Sequence, residues 1–166
     1  QYYHGLAEWK YRANALAKDP LLPHIGAPNC IETEPSRMKN LWSDREAAKY
    51  VRRYGKQGVN ADLALRVYTS RLLGGNPRLV LHGGGNTSVK TTLADIMGDP
   101  VEAICVKGSG WDLGDIEPAG LPAMHLAPLQ KMIALSALSD ENMVNAQRTN
   151  LLDSTSPNPS VETLLH

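Results

Sequence analysis

Leu79-Val80-Leu81-His82-Gly83-Gly84-Gly85-Asn86-Thr87-Ser88-Val89-Lys90 is the stretch on which the reading of this chain turns. An apolar run enters a triple glycine, and a short polar cluster leads out into a β-branched run through Thr91 and Thr92. Consecutive glycines are a poor choice for structure alone, because each loses much chain entropy on folding. They make sense where backbone comes close to something else. Bare N–H groups in such a turn cradle an anion, most often a phosphate. Asn86, Thr87 and Ser88 add side-chain donors beside it. The plain alternative is a glycine hairpin between two strands, for which two residues would suffice.

Three familiar glycine motifs can be tested against this stretch. A dinucleotide fingerprint needs G-x-G-x-x-G/A opening a helix. Gly83-Gly84-Gly85-Asn86-Thr87-Ser88 lacks the last glycine, and Ser-Val-Lys-Thr-Thr after it prefers a strand. A Walker loop needs a Gly-Lys-Ser/Thr ending, which is missing. His82-Gly83-Gly84-Gly85 matches the oxyanion-hole motif of lipases and esterases. That chemistry also needs a Gly-x-Ser-x-Gly elbow, and Ser109, the nearest serine, has Lys107 and Trp111 where the glycines belong.

The 166 residues suffice for one domain with a sizeable core. Lys plus Arg is 17 and Asp plus Glu is 17, so nothing in the charge asks for nucleic acid or an acidic membrane surface. Cys30 and Cys105 form no CxxC pattern, which points to a reduced, cytoplasmic setting. His4, His24 and Cys30 match no metal-ligand spacing. No run is long enough to span a bilayer, and there is no basic-then-apolar secretory signal. The chain starts at Gln1 and stops as a helix begins after Pro159, so it reads as part of a longer protein.

Residues 1–40 read as an irregular extension or arm, broken by Pro20, Pro23, Pro28 and Pro35 after a short helical pattern from Tyr3 to Lys18. Residues 41–166 read as the domain. Ser43 and Glu46 form a capping box for a helix to Tyr54. Asn60 caps a second, Ala61 to Leu73, whose Arg66 and Arg71 read as a solvated face. Strands are expected at Arg78 to His82, Thr87 to Thr92, Glu102 to Lys107 and, shorter, Ala123 to Leu126. Lys90 and Lys107 read by default as exposed strand-end lysines, with charge pairing to a phosphate as the lesser alternative, Cys105 as core packing, and His125 as a structural histidine. Helices follow at Leu129 to Leu138, from Ser139 to Leu152, and after the cap at Asn158 or Ser160.

Two glycine–hydroxyl turns thus follow two expected strands, and a third polar turn opens a helix. If they converge, they make a phosphate cup with Glu162 at its lip, a carboxylate free to move a proton. By spacing alone, Glu162 is a helix N-terminal carboxylate favoured by the macrodipole.

The order Gly85-Asn86-Thr87-Ser88, Gly108-Ser109-Gly110 and Pro159-Ser160-Val161-Glu162-Thr163-Leu164-Leu165-His166 resembles the class II aldolase and adducin family, over about Leu41 to His166. The run from Asn76 through Lys90, with Gly108 to Leu113, is most similar to the aldolase half of bifunctional rhamnulose-1-phosphate aldolase/alcohol dehydrogenase proteins. The resemblance implies an α/β fold with a mixed, largely antiparallel central sheet and helices on both faces, here its N-terminal part. It implies that Gly85, Asn86, Ser88, Ser109, Gly110 and Ser160 bind a substrate phosphate and that Glu162 is the acid/base. It implies cleavage of a ketose 1-phosphate such as rhamnulose 1-phosphate to dihydroxyacetone phosphate and lactaldehyde. Zinc is the implied Lewis acid, with its histidine ligands expected after His166, and NAD enters only if a dehydrogenase module follows. His166 matches a family histidine that is not a zinc ligand, and Val161 stands where some members have a second serine. The implied partner is a small phosphorylated sugar, on a cytoplasmic homo-oligomer. Two other classes stay open: a non-catalytic adducin-type scaffold, and an esterase built on His82-Gly83-Gly84-Gly85. Because the implied zinc ligands lie beyond His166, the chain as given is expected to be inactive alone and to retain no stoichiometric zinc. Metal analysis after dialysis tests this, and one zinc per chain would refute it.

Overall fold

The strand Pro100–Val106 carries the fold; in the computed structural model, which describes residues 38–166, its last four side chains are all buried. With β1 as Ser88–Ala94, β2 as this strand and β3 as Ala123–His125, the sheet order is β1-β2-β3, and both pairings are antiparallel. Ser88 faces Val106 at one end of the β1/β2 ladder and Ala94 faces Pro100 at the other. Side chains alternate between faces along a strand. Cys105 accordingly packs with Tyr54, Leu63, Ala64, Val67, Leu113 and Ile116 on one face. Ile104 and Val106 pack with Met124 and Leu129 on the other. Each Leu, Ile, Val or Met side chain among these, fully buried, contributes roughly 1.5–3 kcal/mol. Burial pushes the free Cys105 thiol up to about 11, so it stays a neutral packing group, as expected.

Helices cover both faces. α1 (Asp44–Gly55) and α2 (Ala61–Gly74) bring Tyr54, Leu63, Ala64 and Val67 to the first; α3 (Leu126–Met132) brings Leu129 to the second, and α4 (Asp140–Thr149) follows. Their starts follow the caps. Asn60 accepts from Leu63 N at 2.9 Å, and Ser139 accepts from Asn142 N at 3.3 Å. Ser43 accepts from Glu46 N at 3.4 Å, but the return half of its capping box is absent. Ser43 N donates instead to the Tyr68 hydroxyl at 3.0 Å, and Glu46 pairs with Lys49 at 2.6 Å. The cap of α2 also grips the sheet: Asn60 donates to Thr91 Oγ1 at 2.8 Å, and Thr91 donates to Asp62 at 2.8 Å.

Four expectations need correction. Residues 78–82 are not a strand. Leu79 N and Val80 N turn back onto Asn76 O at 2.9 and 3.1 Å, and Arg78 N donates to Asn76 Oδ1 at 3.0 Å. Local bonds take the groups that a ladder would need, and Leu81 is left 78% exposed. The triple glycine is therefore not a hairpin between two strands. α3 begins before Leu129, with Pro128 in its first turn where a missing N–H costs nothing. α4 stops at Thr149 because Leu151 leaves to bridge Met124. The last expected helix is a short 3-10 turn, Val161–Leu165, capped by Ser160. The helical pattern from Tyr3 to Lys18 and the proposed arm lie outside the described residues.

Arg71 is not on a solvated face. Its guanidinium donates to Ile116 O at 2.7 Å, Asp115 O at 2.9 Å and Glu117 Oε1 at 2.5 Å. Tyr54 donates to the other oxygen of Glu117 at 2.5 Å. Together they clamp the loop after β2 onto α1 and α2. Burial pushes the Tyr54 hydroxyl up to about 12, helped by its bond to Glu117. Burial alone would raise the Glu117 carboxyl too. The hydrogen bonds from Tyr54 and Arg71 outweigh it and hold Glu117 below the usual carboxylate range.

Gly74 lies against the same loop. A Cβ there would stand 2.3 Å from Gly114 N and 2.4 Å from the Leu113 carbonyl carbon. Gly74→Ala should lower stability by about 3 kcal/mol, since backbone cannot yield as a side chain does. Gly55→Ala, with nothing within 4 Å, should instead raise it by about 0.5 kcal/mol. Urea midpoints on the two variants check both signs.

Candidate active site

β1 begins and β2 ends at one edge of the sheet, so the turns before β1 and after β2 lie side by side. Lys107 N donates to Thr87 O at 3.0 Å, one rung beyond the Ser88–Val106 pair. Gly108 N then donates to Gly120 O at 2.8 Å, and Ser109 N to Asn158 O at 2.9 Å. That last bond, with a bridge between Gly108 and Pro159, draws in the third turn. Gly83, Gly84, Gly85, Asn86, Lys107, Gly108, Ser109, Gly110, Ser160 and Glu162 line one open cleft of about 510 Å³. Of the residues singled out from sequence, Gly85, Asn86, Ser109, Gly110, Ser160 and Glu162 meet there. Ser88 does not line it; as the first residue of β1 it is paired with Val106.

Two positions show why glycine stands in these turns. Gly85 has φ 74°, and a Cβ on it would lie 2.6 Å from Leu113 Cδ1. Gly110 has φ 85° at the opposite wall.

The donors of the cleft fall into engaged and open groups. The Asn86 amide is oriented by Thr87 N, which donates to its Oδ1 at 2.9 Å. Its Nδ2 donates to Ser160 Oγ at 2.7 Å and to Glu162 Oε2 at 2.5 Å. Both amide protons are then in use, and the side chain joins the first turn to the third. Ser160 Oγ also accepts from Glu162 N at 3.2 Å, which leaves its hydroxyl proton to donate. The N–H of Ser109 is engaged by Asn158. Those of Gly85, Asn86 and Gly110 have no acceptor among the described residues. These N–H groups, the Ser160 and Ser109 hydroxyls and the Lys107 ammonium are the open donors.

Lys107 was expected to be exposed; it is only 8% exposed and lies in the wall of the cleft. Among the described residues its ammonium makes no ion pair. A signal was available in sequence: the lysine ends the most apolar strand of the chain, where burial continues. Lys90 is exposed, and its ammonium donates to the His166 carbonyl. His125 ends β3, stands at the start of α3, and donates its backbone N–H to Asn150 O at 2.9 Å. His82 does not face the cleft. Its Nδ1 lies 2.9 Å from Asp112 Oδ2, and both line a neighbouring cavity of about 420 Å³ without a serine.

A zinc ion does not fit the described residues, among which no three His, Cys, Asp or Glu side chains are grouped as a metal would need. Among the same residues no helix is long and apolar enough to cross a membrane.

No family model matches the chain. It is 36% identical over 129 residues to the uncharacterized oxidoreductase YuxG of Bacillus subtilis, which covers 78% of this chain and 17% of that protein. It is similar to the solved N-terminal class II aldolase domain of a conserved protein from Thermoplasma acidophilum, at 36% identity and a TM-score of 0.65. That match covers 78% of this chain and 55% of the other. The chain therefore spans about a sixth of the one relative and about half of the other.

The Asp112 carboxylate carries a pH prediction. It accepts from Gly83 N at 2.7 Å and Gly114 N at 2.8 Å, and these bonds, Gly83's first, hold it below the usual carboxylate range. A depressed folded pKa means that the contact is present above the ordinary value and lost as pH falls through the folded one. The Gly83 and Gly114 amide resonances should titrate together with a midpoint below about 3.9, the ordinary Asp value. A midpoint at or above it in 1H–15N spectra refutes the contact.

Proposed function

Because this chain belongs to the class II aldolase/adducin family, we propose that its cleft holds the phosphate of a small ketose phosphate and that Glu162 moves the proton in carbon–carbon cleavage. One observation carries the reading: open donors from three separate turns converge opposite a single carboxylate. Gly85, Asn86 and Gly110 offer backbone N–H groups, and Ser109 and Ser160 offer hydroxyls. Lys107 adds the positive charge, in a wall where water screens it less than at a surface. A dianionic phosphate suits that set, because charge-assisted hydrogen bonds are about twice as strong as neutral ones. Asn86 contributes through its backbone, since its side chain is held by Ser160 and Glu162.

The reaction in this reading is a retro-aldol cleavage to dihydroxyacetone phosphate and an aldehyde, lactaldehyde if the sugar is rhamnulose 1-phosphate. The bond between C3 and C4 breaks, its electron pair passes into the enediolate, and the Glu162 carboxylate takes the C4 hydroxyl proton as the aldehyde forms, the same proton that it then gives to the enediolate carbon. Glu162 delivers a proton to the enediolate carbon and in the reverse direction removes it. The Asn86 amide holds the Glu162 carboxylate in place and so fixes where that proton travels. Zinc dependence belongs to the proposal, with ligands outside the described residues; bound there, the ion would supply a Lewis acid for the ketone. The oxidoreductase in the name of the Bacillus subtilis relative supports a further proposal: the parent protein also carries an NAD-dependent short-chain dehydrogenase module. In this reading the protein is a cytoplasmic homo-oligomer.

Glu162→Gln keeps the shape of the side chain and removes the proton acceptor. In the parent protein, turnover of the ketose phosphate should fall about a hundredfold, the usual scale for a lost general base. Zinc content and KM should change little, because other groups hold the phosphate. Near-normal turnover would leave Glu162 as a helix-cap carboxylate; loss of zinc would make it a ligand instead.

A further inference from the structure

We propose that Asp112 is a positioning residue: its carboxylate latches the glycine loop from behind and so aims the Gly85 and Asn86 N–H groups into the cleft. The inference rests on the phosphate reading above. Asp112 is absent from the lining of the cleft and lines the cavity on the other side of the loop. Its charge also reaches Lys107 in the cleft wall, but removing a negative charge there would favour a bound anion, so a loss of phosphate affinity on removing it reports on the loop. Its two oxygens take different loads. Oδ2 accepts from Gly83 N at 2.7 Å, and Oδ1 accepts from Gly114 N at 2.8 Å. The carboxylate thus pins the triple glycine to the loop that Glu117 and Arg71 clamp onto α1 and α2.

The loop needs such a pin. Gly83 and Gly85 both have positive φ, 73° and 74°, and glycine has little preference for that region over others. Within the loop the only backbone bond is Gly84 N to Leu81 O at 2.8 Å. Of the residues ahead of Asn86, only Val80 packs against the core, while Leu81 and His82 stand in solvent. Without Asp112, nothing described holds the Gly83 peptide, and the direction of the next two N–H groups is free to vary. His82 is a weak second arm. Its side chain is 99% exposed, so water screens its pairing with Asp112. This gives the His82-Gly83-Gly84-Gly85 motif a role outside acyl chemistry: the loop is held for its N–H groups, and the imidazole points away from them.

The test uses the full chain and inorganic phosphate, followed through the Gly85, Asn86 and Gly110 amides in 1H–15N spectra. Asp112→Asn is isosteric but offers only one acceptor oxygen to two N–H donors. It should weaken phosphate binding about tenfold, the scale of one lost charge-assisted hydrogen bond, and speed hydrogen exchange at Gly83. Asp112→Ala should weaken binding further. His82→Ala should bind within about twofold of the wild type. The β1 and β2 amide resonances report that each variant is folded. Faster exchange at Gly83 with unchanged phosphate affinity overturns the proposal, because Asp112 would then brace the loop without aiming it. A loss in His82→Ala equal to that in Asp112→Asn also overturns it, since the ion pair would be the latch. If phosphate shifts none of the three amides in the wild type, the phosphate reading itself fails.

Discussion

One backbone hydrogen bond organises the candidate site: Lys107 N to Thr87 O, at 3.0 Å. It continues the β1/β2 ladder one rung beyond both strands. A ladder rung fixes direction as well as distance, so the turn before β1 and the turn after β2 must leave the sheet together. Everything in the cleft depends on that. It sets Gly85 and Asn86 against Ser109 and Gly110, and it keeps Lys107 buried just past the end of β2. The strand can bear this load because β2 is buried on both faces. Its bonds are shielded from competing water, and slipping the register by one residue would exchange the two apolar faces.

From there the polar groups sort themselves by accounting. A buried or half-buried donor needs a partner. Gly83, Gly84, Gly108 and Ser109 have intramolecular acceptors for their N–H groups, whereas Gly85, Asn86 and Gly110 have none among the described residues. Gly85 and Gly110 are exposed, so water or a ligand can take their N–H groups, whereas Gly108 is buried and bonded within the chain. Engaged donors hold the turns to one another and to the clamped loop; the open donors belong to residues that line the cleft. The same division appears in the side chains. Asn86 is fully engaged, and Ser160 keeps one proton free.

Behind the cleft, the loop between β2 and β3 links the site to the helices. Arg71 and Tyr54 meet on Glu117, and two backbone carbonyls accept from the same guanidinium. Those are the bonds of a planar fork that lysine could not reproduce. Gly74 closes against Gly114 so tightly that any side chain would push the loop away. The outcome is a stiff backing for a glycine-rich front.

Read alone, the sequence determined what depends on near neighbours. The caps at Ser43, Asn60, Ser139 and Ser160 start their helices, because a cap bond spans only two or three residues. The apolar strand to Val106 and the core position of Cys105 follow from composition and period. The resemblance to the aldolase family named the turns that meet, and the order of those turns was visible in the chain. Tertiary structure decided whatever needed a distant partner. Residues 78–82 look like a strand by propensity, yet pair with no strand among the described residues and turn back onto Asn76. Arg71 looks like a surface charge until a loop 45 residues on supplies its acceptors. Ser88 is listed by its motif among the donors but is turned into the ladder, and Lys107 is buried rather than exposed. Asn86 reads as a ligand donor, but Ser160 and Glu162, 74 and 76 residues away, take both of its amide protons. Propensity describes what a short segment does with its own groups. Which groups are left over for a ligand depends on the path of the whole chain.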